Sequence, residues 1–168
     1  MRNVIGSLLL TVLTVLPTAA LAKPPRAELA GVRLGMAEAD AQARLSKLGK
    51  RTSEKDRERE EDEQESWSLS SGPWGYVTFG VEEGRVSWVT VFARREGPHV
   101  LYRDLGSIAE ARRTGTYFFT WTVPGHAGAE PYTVIARGSD SLRVSSVSLL
   151  PNPQEAVRTR PAPSDSSR

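Results

Sequence analysis

From Trp67 onward, apolar side chains fall on every second residue. A period of two places alternate side chains on opposite faces of an extended chain, so this half of the sequence is committed to β-structure. Val77, Phe79 and Val81 alternate with Tyr76, Thr78 and Gly80, and Glu82-Glu83-Gly84 then supplies a tight turn. Val86, Trp88, Thr90 and Phe92 follow as one set, and Ser87, Val89, Val91 and Ala93 as the other. Both sets are largely apolar, so the pattern alone leaves open whether the strand is covered on both sides. Trp67 and Leu69 begin an earlier strand that turns at 70–73. The strongest strand spans 116–123, with Tyr117, Phe119, Trp121 and Val123 on one face. Residues 132–137 and 142–150, joined at 138–141, complete a further hairpin. The total expected is an antiparallel sheet of five to seven strands.

Helical spacing is confined to two short stretches. In 37–48, Ala41, Leu45 and Leu48 recur at intervals of four and three, with Leu34 and Met36 leading in. Gly49 stands where a helix end favours a left-handed residue. Ser107 and Glu110 have the spacing of a capping box and predict a second helix that ends at Gly115. Short helices on one face of an antiparallel sheet make an α+β fold. The stripes that include Leu45, Leu48 and Ile108 are expected to meet the Trp121 face and the Val86–Trp88–Thr90–Phe92 set. Helix-then-strands occurs twice, and 34–39 echoes 105–111 with one residue inserted, which points to a tandem repeat.

Between these parts lies a charged stretch, 50–65, with five basic and eight acidic residues and almost no apolar side chain. It offers nothing to dock and reads as a polar loop. Residues 151–168 are rich in proline and serine and read as a disordered tail beyond a single domain at 23–150. At the other end, Arg2, an apolar run over 5–16, Pro17 and Ala20-Leu21-Ala22 have the layout of a signal peptide cleaved after Ala22. The run is short of the roughly 20 apolar residues a membrane span needs. The expected location is therefore periplasmic or secreted, with no transmembrane span after the signal is removed.

Composition narrows the chemistry. The chain has no cysteine, so disulfides, thiolate metal sites and cysteine nucleophiles are excluded. Its 22 basic and 20 acidic residues nearly cancel, which argues against nucleic acid as a partner. His99 and His126 are too few and too separated for a zinc site, and no metal or other cofactor is implied. His126 sits in a glycine-rich loop with Glu130 four residues on, but no nucleophile accompanies the pair. Ser145, Ser146 and Ser148 lie within a strand and lack a nucleophile elbow.

The aromatic residues are the better guide. Trp67, Trp74, Trp88 and Trp121 fall in or beside expected strands. Two short helices cover one face of a sheet, and rings on the other would form an exposed apolar patch of the kind that marks an interface. The candidate binding residues are Trp74, Tyr76, Trp88, Trp121 and His126. Trp88, Phe119 and Trp121 also read as core, whereas Trp74, in a Gly-Pro-Trp-Gly turn, reads as exposed.

Residues 31–40, Gly-Val-Arg-Leu-Gly-Met-Ala-Glu-Ala-Asp, resemble the opening of exported domains of the SmpA/OmlA type. Those begin with a Gly-Met-Ser/Thr helix start and continue into an antiparallel meander. Ala37 stands here in place of the hydroxyl residue, and without cysteine the chain cannot carry a lipoprotein anchor. The element order is also similar to that of the secreted β-lactamase inhibitor proteins, with their two copies of helices followed by strands. The resemblance implies protein binding through one sheet face. The expectation is a non-enzymatic protein-binding module of the cell envelope or extracellular space. The alternatives are an enzyme acting on polysaccharide and a structural factor that binds peptidoglycan.

Overall fold

The computed structural model describes residues 25–52, 63–125 and 130–152. The expected signal segment at 1–22, most of the charged stretch, His126 and all but the start of the expected tail lie outside these residues. Along the chain come α1 (Glu38–Leu45), β1 (Gly49–Arg51), β2 (Glu63–Leu69), β3 (Trp74–Glu82) and β4 (Arg85–Ala93). The second run is α2 (Tyr102–Leu105), a 3-10 turn (Ile108–Glu110), β5 (Arg112–Gly115), β6 (Phe118–Val123), β7 (Tyr132–Gly138) and β8 (Val144–Pro151).

Among the described residues, eight strands rather than five to seven form one antiparallel sheet, in the order β1-β2-β3-β4-β8-β7-β6-β5. These residues are mostly sheet, with α-helices of 8 and 4 residues among them, so the fold is less evenly α+β than expected. Helix-then-four-strands occurs twice, and the two runs meet where β4 pairs with β8.

The core lies on one face. Cross-strand pairing carries a buried row from Trp67 through Val77, Val91, Val147 and Ala136 to Phe119. Phe79, Val89, Leu149, Val134 and Trp121 form the next row. Both helices pack on this face. From α1, Ala41 and Leu45 are fully buried, and Gln42 donates to Glu65 Oε1 on β2 at 2.7 Å. From α2, the Tyr102 ring lies 4.6 Å from that of Phe119.

Ala37 provides no side-chain cap to α1. The β3–β4 hairpin supplies one instead. Gly84 O accepts the N–H of Glu38, and Gly35 and Met36 exchange backbone bonds with Val86. The glycine-methionine segment is thus docked on the hairpin like a short extra strand, and the first helical N–H is satisfied without a hydroxyl.

Two expected helix ends are different structures. Neither Gly49 nor Gly115 has positive φ. Gly49 opens β1, where any side chain would overlap the Ser68 carbonyl. The helix expected to end at Gly115 does not form: Ser107 makes no side-chain cap, Ile108 is 45% exposed, and Arg112–Gly115 pairs with β6. The capping contact belongs to α2, where Leu101 N–H donates to Asp104 Oδ2.

Both ends of the expected loop at 50–65 are strand. Glu65 is buried on the core face, where Oε1 accepts from Arg51 and Gln42 at 2.7 Å each and Oε2 accepts from the Trp67 indole at 3.1 Å.

Candidate functional site

The opposite face of the sheet is built from the other half of each alternation. One ladder row crosses it from Ser68 through Tyr76, Phe92, Ser146 and Arg137 to Phe118. Lys50 extends this row on β1. A second row runs from Ser66 through Thr78, Thr90, Ser148 and Ile135 to Thr120, with Arg112 beyond it on β5. Thr90 and Ser148 hydrogen-bond at 2.8 Å across the β4–β8 junction.

Several large side chains on this face meet solvent. Phe92 is 42% exposed, and Tyr76, Trp88 and Phe118 are half-buried. Tyr76 and Phe92 pack with ring centres 6.1 Å apart. The Arg137 guanidinium lies 4.9 Å over the Phe118 ring. Trp88 is paired with Gly80, and its indole occupies the space where a side chain at Gly80 would stand. Only glycine leaves room for a ring laid flat across the neighbouring strand.

Two bulges decide which rings reach this face. Between Trp74 and Tyr76 the pairing skips Gly75, so Trp74 is partnered by Ala93 while Tyr76 is partnered by Phe92. Trp74 therefore turns into the core and is 5% exposed, which corrects its expected exposure. The second bulge places both Val86 and Val89 in the core and leaves Ser87 without a ladder partner. Beyond it the alternation changes phase. Trp88, Thr90 and Phe92 lie on the open face, not against the helices, and Val89 and Val91 are the core residues of β4.

Of the sequence candidates, the structure brings Tyr76 and Trp88 to one surface. It places Trp74 and Trp121 in the core, where the Trp121 indole donates to Ser107 O at 2.8 Å. His126 lies outside the described residues. Phe92, Phe118 and Arg137 belong with Tyr76 and Trp88 and were not singled out as binding residues by sequence. For Phe92 the alternation was present, but its phase could not be read across the bulges; Phe118 lies on the face opposite Phe119 and Trp121, as the alternation of its strand has it.

No family model, curated protein or solved structure matches this chain. Among the described residues, no group of three or more histidine, aspartate and glutamate side chains is arranged to hold a metal, and no helix is long and apolar enough to cross a membrane. The open face offers rings, hydroxyls and cations. That set suits apolar and electrostatic contact with a second surface.

Proposed function

We propose that the chain is an exported, non-enzymatic protein-binding module that engages its partner through the open sheet face. The observation that carries this reading is the exposed ring cluster around Phe92, on the face opposite both helices. Aromatic residues and arginine are the side chains that most often carry binding energy at protein interfaces. Glycoside hydrolysis would need a pair of carboxylates beside the rings. The ladder neighbours of Tyr76 and Phe92 on this face are Ser68 and Ser146, which favours binding over hydrolysis. Export rests on the layout of residues 1–22. The repeated helix-then-four-strands order supports the tandem architecture that the inhibitor-protein resemblance implies.

The test has two arms. Expression in a secreting host should yield a mature N-terminus at Lys23, and an intact Met1 on membrane-bound material would overturn the cleaved-signal reading. Cross-linking pull-down from the native envelope should capture a partner with the wild-type chain and lose it with Phe92→Ala. Equal capture by both would remove the open face from the proposal.

A further inference from the structure

We infer that the surface received by the open face is an acidic protein segment. This rests on the binding role proposed for that face and specifies its occupant. Three cations stand in its two long rows: Lys50 on β1, Arg137 on β7 and Arg112 on β5. All three are exposed. None of them is in an ion pair among the described residues, whereas Arg51, one residue from Lys50 and on the other face, is paired with Glu65. These two rows contain no aspartate or glutamate between β1 and β6, and Glu82, which shares the open face at the hairpin end of β3, is partnered across the ladder by Arg85. Other acids near the sheet lie off this face: Glu65 in the core, Glu83 in the β3–β4 turn and Asp140 at the β7–β8 turn.

The near-neutral net charge of +2 therefore conceals a face with an excess of positive charge. Such a face attracts an opposite charge and repels its own kind. A second copy docked face to face would set Arg137 and its neighbours against the same cations, so the occupant is a different surface. Arg137 is also held in place by Phe118, which lowers the ordering cost of using its guanidinium. The rings at Tyr76 and Phe92 lie in the same ladder row as Arg137. The complementary surface thus carries carboxylates beside apolar groups, which a protein segment supplies and a purely charged polymer does not.

The experiment selects short random peptides displayed on phage against the immobilised mature chain, with polygalacturonate as a separate anionic-sugar probe. The selected peptides should be enriched in aspartate and glutamate. Their affinity should fall about tenfold in Arg137→Glu, a charge reversal at a rim-exposed site, and should be largely retained in Arg137→Lys. It should also fall as salt rises from about 0.1 M to 1 M, which shortens the screening length from about 10 Å to 3 Å. Arg112→Glu provides the same reading if Arg137→Glu melts early by circular dichroism. Neutral or basic peptides that still require Phe92 would overturn the acidic occupant and leave the binding role intact. Saturable binding of polygalacturonate with no peptide selected would overturn the assignment to protein. Peptides indifferent to both Phe92→Ala and Arg137→Glu would remove the binding role itself.

Discussion

Single side chains in this sheet are committed by what they must satisfy. Glu65 is a buried carboxylate that stays because three donors reach it, from Gln42, Arg51 and Trp67. Glu65→Ala strands the Trp67 indole without an acceptor, while the Gln42 amide keeps Glu38 Oε1 at 2.9 Å. A cost of about 1–3 kcal/mol is expected in denaturant unfolding, the penalty for one stranded buried donor. Arg51→Ala should cost less, because Arg51 is 41% exposed and the other two donors remain. Asp140 works at the surface. Its Oδ1 accepts the backbone N–H groups of Arg143 at 2.7 Å and Leu142 at 2.8 Å, and these bonds hold its pKa below the ordinary 3.8. A lowered carboxyl contributes stability that is complete above the unfolded value and is lost as pH falls through the lowered one. Melting temperature followed into acid should therefore drop below pH 3.8, and Asp140→Asn, which keeps an acceptor and does not titrate, should flatten that drop. Tyr102 has the opposite sign. Burial first, then the Asp140 carboxylate and Tyr117, push its phenol above the ordinary 10.0, so its contribution is lost in strong base.

At the scale of elements, the hairpins carry a correctable strain. Glu83 and Gly84, at the centre of the β3–β4 turn, have φ of 52° and 71°, and Ala30 and Gly31 repeat the pattern at 50° and 83°. Both turns have the positive-φ pair that matches the twist of antiparallel strands, and asparagine is the favoured side chain at the first position. Glu83→Asn and Ala30→Asn should each raise stability by about 0.5–1 kcal/mol, measured by thermal or urea unfolding. The β3–β4 hairpin was legible because alternation on both sides agreed with the turn residues. The edge strands were not. Gly49–Arg51 and Arg112–Gly115 contain no apolar alternation, and they are strands only because a neighbour's backbone is free to pair with them. Charged, short edges of this kind also discourage further pairing. The faces of β4 were misread for a related reason: a bulge adds one residue, and a period-two pattern contains no mark of where its phase changes. The candidate site was legible to the extent of Tyr76 and Trp88. Its boundary with the core at Trp74 and Phe92 depends on bulges that only the paired strands reveal.

The whole molecule is joined at one ladder. Val89 pairs with Leu149 and Val91 with Val147, and through these residues the core of the first four strands continues into that of the last four. Leu149 and all three valines are fully buried. Neither half can close its core alone, since separation would expose this row and the edges of β4 and β8 together. Unfolding should therefore be a single transition, with calorimetric and van't Hoff enthalpies equal. Leu149→Ala tests this at the junction. Loss of a buried leucine costs about 2–5 kcal/mol. In a continuous core that cost lowers the one transition by several degrees per kcal/mol for a domain of this size. If the halves were independent bodies in contact, the same substitution would split the melt, with the four-strand unit β5–β8 unfolding first. A split melt would also change the view of the open face. Tyr76 and Phe92 stand on one side of the β4–β8 junction and Arg137 and Phe118 on the other, so the ring-and-cation row is one surface only while that junction holds. A single lowered transition in Leu149→Ala is the result that makes the open face one surface across the β4–β8 junction.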